Sequence, residues 1–281
     1  MVECLRLLWQ ILESNTEQWK VHLGAGITLL QTKIFTKPQL DTALNVTPSA
    51  LSVTSFLVNV FVWLDALSSA FLWDDEIQCD HVSLLDNFQP VNAPSFGCQS
   101  WVIIAISQAN QLRRWKALMI GQGSLSITAL VSRASQLQTF VAAQLPDPTL
   151  GSYDANDIIT YLYAQATMIY LHVLVSGPHP DIPEIRQVVE TCMPQIENAL
   201  LLGATPWLAW ALCIIGCMAG KEARAAIESL LEQMHNACAV TSGYAKALAT
   251  VRECWRLRDA DCGPAYWASA MRSLGNVSLL I

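Results

Sequence analysis

From Leu51 to Trp73 the chain is almost free of charge, a run that includes Phe56-Leu57-Val58-Asn59-Val60-Phe61-Val62-Trp63-Leu64-Asp65. A stretch of this length has two destinations. It crosses a bilayer, which takes about 20 apolar residues, or it is buried on most faces of a large helical protein. Asn59, Asp65, the interspersed serines and the lack of a basic residue after Trp73 favour burial. A second apolar window, Ala204 to Gly220, is short and holds Pro206, and it reads the same way. The enclosure must come from the rest of the chain, and 281 residues can bury a large core. The composition fits, with 53% apolar against 14% charged residues and a mean hydropathy of +0.34. Glu3 and Arg6 interrupt the first apolar stretch, so no signal peptide is read at the start.

Helix punctuation is frequent and alternating strand patterns are scarce. Thr47-Pro48 and Thr205-Pro206 each place a capping hydroxyl before a proline suited to the first helical position, and each is expected to open an apolar helix. Between Ser126 and Leu145, apolar residues recur at Ile127, Leu130, Val131, Ala134, Leu137 and Val141, a spacing that predicts one buried stripe. Pro146-Asp147-Pro148 stops it. Further helices are expected over Glu3 to Glu13, Glu17 to Thr32, Gln99 to Met119, Asp157 to Val175, Pro183 to Leu201, Lys221 to Cys238 and Tyr244 to Arg258. The fold class is therefore all-α, a single multi-helix array over residues 1–281 with an internal apolar pocket. The connection from Asp74 to Phe96, with Pro90 and Pro94, is the main irregular segment. Loops of that length are usually functional or disordered, and this one is expected to cover the cavity.

Charge separates along the chain. No Lys or Arg occurs from Pro38 to Leu112, whereas Asp41, Asp65, Asp74, Asp75, Glu76, Asp80 and Asp86 do. These seven account for the whole net charge of −7, because the remaining 16 acidic residues (23 minus 7) balance 16 basic ones. Nucleic-acid binding draws much of its affinity from basic side chains on phosphates, and no basic face is evident, so no direct contact with nucleic acid is expected. The nine cysteines include no Cys-x-x-Cys pair of the kind a zinc cluster needs. Cys213 and Cys217 share a helix face in an apolar segment, where buried free thiols are the simpler state. Neither metal nor cofactor is expected, and the compartment is read as reducing, cytoplasmic or nuclear.

One string stands out: Asn15-Thr16-Glu17-Gln18-Trp19-Lys20-Val21-His22-Leu23. It resembles a block in the regulatory domain of fungal zinc-cluster transcription factors. The resemblance continues through Trp63-Leu64-Asp65-Ala66-Leu67-Ser68-Ser69, Gly97-Cys98-Gln99-Ser100-Trp101-Val102 and Ala166-Thr167-Met168-Ile169-Tyr170-Leu171-His172. It ends with Gly216-Cys217-Met218-Ala219, Arg252-Glu253-Cys254-Trp255 and Tyr266-Trp267. Ala211 stands where the family tends to have proline, and Met218 where it tends to have glutamate. In that family the first block follows several earlier helices and, further upstream, a six-cysteine DNA-binding module. The chain thus looks like a regulator with its front removed, leaving an apolar patch expected to be a pocket mouth or a contact with a second copy.

All-α chains of this size also include terpenoid cyclases, whose magnesium sites need sets of hard oxygen ligands. Asp74-Asp75-Glu76-Ile77-Gln78 has Gln78 where a carboxylate is needed, and Asn156-Asp157-Ile158-Ile159-Thr160 meets Ala164 where a glutamate should close the set. Both sets are broken. Asp65 lies mid-helix among apolar residues, so it is either bonded to a neighbouring helix or poised as a general acid. His172 carries the same two readings, and His81 sits in the acidic loop as a solvated side chain or a further acid. Trp63, Trp73, Trp101, Tyr163 and Tyr170 are large apolar surfaces with polar tips, suited to core packing or to lining a pocket for a terpenoid or polyketide.

Two functions follow. One is a ligand-sensing regulatory domain, as the resemblance implies. The other is a stand-alone pocket protein of fungal specialised metabolism, binding a hydrophobic metabolite and catalysing its cofactor-free cyclisation (pericyclase type) through Asp65, His172 or His81. A chain numbered from Met1 tips the expectation narrowly toward the second.

Overall fold

A computed structural model describes residues 18–35, 48–71, 97–145, 154–204, 207–237, 243–275 and 280. Among the described residues there are ten helices and no strand. They are α1 (Trp19–Phe35), α2 (Pro48–Ser69), α3 (Ser100–Gly121), α4 (Ile127–Gln144) and α5 (Ala155–Ser176). The second half holds α6 (Pro183–Leu201), α7 (Ala209–Cys217), α8 (Arg224–Ala237), α9 (Gly243–Asp259) and α10 (Trp267–Ser273).

Local chemistry sets several of these boundaries. Pro48 and Pro183 open their helices, where a missing N–H breaks no helical bond. Ser126 caps α4 by accepting from the Ala129 amide, and Asp154 caps α5 in a reciprocal box with Asp157. That cap employs the carboxylate of the second metal-like string. The helix expected from Thr205-Pro206 starts later than its proline. Those two residues lie outside the described ones, but Trp207 has φ 76°, a left-handed corner, and α7 begins only at Ala209. The short α10 was not anticipated as a helix.

Two helices form the centre. All nine residues of α7 are buried, and it packs on α5, α6, α8, α9 and α10. Helix α5 packs on α3, α4, α6 and α7. It is the one described helix long and apolar enough to cross a membrane, and 78% of its apolar window is buried in the protein. Around them sit one-sided helices such as α8, whose buried Ile227, Leu230, Leu231 and Met234 follow helical spacing. At the opposite end, α1 meets α2 at Gly26, where a Cβ would fall 2.1 Å from the Phe61 ring, so only glycine allows this approach.

Helix α4 departs from the expected stripe. Leu130, Ala134 and Val141 are buried, but Ile127 is 63% and Val131 42% exposed. These two fall on the flank of the stripe, and no described element covers them. The α3 carboxyl end beside them also exposes Leu118 and Ile120.

Candidate functional site

The buried core around the carboxyl half of α2 holds four of the eight residues singled out from the sequence, Trp63, Asp65, Tyr163 and Tyr170. Helices leave their last four carbonyls without an intrahelical donor, and α2 has no basic residue in its last turn. A buried orphan costs about 1–3 kcal/mol. Side chains from three other helices supply the missing donors. Asn110 Nδ2 of α3 donates to the Ala66 carbonyl at 2.8 Å, and Trp210 Nε1 of α7 to that of Leu67 at 3.0 Å. Arg113 Nη2 of α3 donates to the Ser69 carbonyl at 3.0 Å, and Trp267 Nε1 of α10 to that of Ala70 at 3.0 Å. The Phe71 amide takes the Ser68 carbonyl at 3.0 Å, so every carbonyl from 66 to 70 is satisfied. Arg113 also puts its cation at the negative end of the helix dipole.

Asn110 ties in a further helix, because its Oδ1 accepts from the Tyr170 hydroxyl of α5 at 3.1 Å. Burial pushes the Tyr170 phenol up, against the opposing pull of the nearby Arg113 cation. Tyr163, two turns nearer the start of α5 on the same face, is pushed well up by burial, with Cys98 and Tyr244 adding to it, and donates to the Trp207 carbonyl. Both phenols therefore stay protonated at neutral pH, with their hydroxyls directed to internal acceptors.

The rings around them pack in two groups, one about Tyr163 and one about Tyr170. Tyr163 stacks on Trp210 with centroids 5.5 Å apart and planes at 7°. Trp63 stands edge-on to Trp207 at 6.0 Å and tilted against Tyr163 at 6.3 Å. Tyr170 meets Trp267 edge-on at 5.6 Å. Such pairs are worth about 0.5–1.5 kcal/mol each beyond their burial.

The structure thus brings Trp63, Tyr163 and Tyr170 into one buried core together with Asp65, which is wholly enclosed in α2. It places Trp101 apart, half-buried against Phe140 of α4 at 6.4 Å, with its Nε1 donating to Gln99. His172 is also apart, at the α4–α5 seam, with its Nε2 3.4 Å from the Gln138 amide nitrogen. Desolvation lowers the His172 pKa, and Glu184 pulls it back up. Trp73, His81 and the long acidic connection lie outside the described residues.

The same device closes two other buried helices that lack a basic residue in their own last turn. Lys116 Nζ of α3 donates to the Leu174 carbonyl near the end of α5 at 2.5 Å. At the end of α7, Trp255 Nε1 donates to the Gly216 carbonyl at 2.9 Å and Arg258 Nη2 to that of Cys217 at 2.7 Å. The sequence reading missed Asn110, Arg113, Lys116 and Arg258. Their signal was polarity in the wrong place, since Asn110 sits in the buried register of α3 with Ile103, Ile106 and Ala109.

Cys98, Cys192, Cys213, Cys217 and Cys254 are buried free thiols, and burial pushes Cys98 and Cys192 far up. Among the described residues no group of three His, Cys, Asp or Glu could hold a metal ion.

Two motif blocks quoted from the sequence are halves of one contact: Gly216-Cys217 supplies the carbonyls that Trp255 and Arg258 cap. A chain built on such helix-closing contacts is an all-α helical array. It belongs to the family of the fungal specific transcription factor domain, whose model matches residues 4–281. Among similar curated proteins is the ustiloxin B cluster transcription factor of Aspergillus flavus, 24% identical over 96% of this chain and 53% of the relative. Transcription factor dibT of Pestalotiopsis microspora is 26% identical over 98% of this chain and 52% of its own. A trichothecene biosynthesis transcription regulator of Fusarium sporotrichioides is 28% identical over 66% of this chain and 44% of its own. The chain spans about half the length of the curated relatives it matches. No solved structure matches it.

These relatives overturn the expectation of a stand-alone cyclase, since each is named a regulator of transcription and two are named for a biosynthetic cluster or pathway. The physical reason lies in where the shared blocks fall. Trp255, Trp267 and Ala66 to Ser69, from the blocks quoted from the sequence, hold or form helix ends, a structural role in this fold.

Proposed function

We propose that this chain is the ligand-sensing regulatory domain of a transcription factor that controls a fungal biosynthetic gene cluster. The family match over nearly the whole chain carries the reading, and the named relatives support it. The domain spans residues 1–281 and works in the cytoplasm or nucleus through a protein partner, without itself contacting nucleic acid. Its ligand is a hydrophobic small molecule, a terpenoid or polyketide. The partly exposed rings, Trp207 beside Trp63 and Trp101 beside Phe140, are the surfaces assigned to it. Aromatic surfaces with a few convergent polar groups suit such molecules. A second copy of the chain is a candidate partner.

The test fuses the chain to a heterologous DNA-binding module and measures reporter transcription while late metabolites of the biosynthetic pathway it is proposed to control are titrated. A dose-dependent change that Trp207→Ala abolishes is expected. A reporter indifferent to every metabolite of that pathway refutes the sensing role.

A further inference from the structure

We propose that the tip of the α3–α4 hairpin is a docking surface for an acidic amphipathic helix of a partner protein. Four apolar side chains stand in solvent at this one tip: Leu118 and Ile120 on α3, each 56% exposed, and Ile127 and Val131 on α4. Ile127 and Val131 are one helical turn apart, so they present a single ridge. Single exposed apolar residues are ordinary, but several around one turn, with the Ile127–Val131 ridge left bare by every described element, mark an interaction site.

Charge selects the occupant. From 87 to 146 the chain contains no Asp or Glu, although its net charge is −7, and every charge in that stretch is basic. Arg113 and Lys116 are turned inward onto the Ser69 and Leu174 carbonyls. Arg133, the sole charged residue of α4, is exposed and lies over the Trp115 ring at 4.5 Å. A second copy would set basic hairpin against basic hairpin, whereas a helix with leucines on one face and glutamates beside them meets both features of the tip. The turn between the helices is well formed, with the Ser124 amide on the Met119 carbonyl at 2.9 Å, so the ridge is preorganised.

The test uses the full chain and two labelled synthetic helices. Both carry leucines at i, i+3, i+4 and i+7, one flanked by glutamates and the other by lysines, and binding is read by fluorescence anisotropy. The glutamate helix is expected to bind at least about tenfold tighter than the lysine helix, with an affinity that falls as salt is raised. Ile127→Ser combined with Val131→Ser, and separately Leu118→Ser, should each weaken it about tenfold. Because these side chains are exposed, circular dichroism should show an unchanged fold. Arg133→Glu should narrow the preference between the two helices. Equal binding of both, or affinity untouched by the serine variants, overturns the proposal. So does a concentration-dependent dimer that Ile127→Ser and Val131→Ser dissolve while the glutamate helix fails to bind.

Discussion

Replacing Trp267 with Phe tests whether the donors at the end of α2 hold this fold together. Trp267 is fully buried, and its Nε1 is the donor to the Ala70 carbonyl at 3.0 Å. Phenylalanine keeps an aromatic ring against Tyr170 and Tyr266 but removes the N–H. The carbonyl left without it costs about 1–3 kcal/mol. The smaller ring adds about 1 kcal/mol for lost contacts and residual void. The sum, about 2–4 kcal/mol, is a large part of a typical total of about 5–15 kcal/mol, so the variant should fold but unfold at clearly lower denaturant. Urea titration followed by far-UV circular dichroism measures this as a shifted midpoint at constant slope. Trp101→Phe is the control. That residue also meets another ring edge-on, but its N–H serves Gln99 two residues away at the surface, where water can replace it. Its cost should stay under about 1 kcal/mol. If the two substitutions cost the same, carbonyl closure is not what Trp267 contributes and the reasoning fails.

Three further outcomes are expected. Tyr163→Phe takes away the donor to the Trp207 carbonyl at the left-handed corner, and should lower stability by about 1–3 kcal/mol in the same titration. Burial lowers the His172 pKa from 6.5, so the unfolded state binds the proton more readily; stability should be flat above about pH 6.5 and fall as pH drops through the folded pKa, and His172→Gln should flatten that slope in thermal melts across pH. Maleimide labelling of the native protein with peptide mapping should modify the exposed Cys262 and spare Cys98, Cys192, Cys213, Cys217 and Cys254 until denaturant is added.

Periodicity and punctuation disclosed the helices, because burying an apolar face at 3.6-residue spacing is a local property of the chain. Pro183 to Leu201 matches α6 at both ends, other boundaries within the described residues moved by a few residues, and the helix expected over Glu3 to Glu13 lies outside them. The α4 stripe was legible only in part: spacing cannot say whether a neighbour exists to cover Ile127 and Val131. The donors at the helix ends were illegible, since Trp210 meets Leu67 across 143 residues and Trp267 meets Ala70 across 197. No window of sequence holds both partners. Trp63, Tyr163 and Tyr170 were picked for aromatic bulk, and the internal acceptors of the Tyr163 and Tyr170 hydroxyls likewise lie far from them in sequence. The cyclase expectation rested on where the numbering starts, which carries no chemical information about a pocket.

The 197-residue span between Ala70 and Trp267 also sets a clock. A ribosome adds about 5–20 residues per second, so the end of α2 is made roughly 10–40 s before the tryptophan that closes it. During that interval the donors from α3 and α7 can close the earlier carbonyls, but that of Ala70 still waits. The newborn chain should therefore depend on chaperones until its last helix emerges.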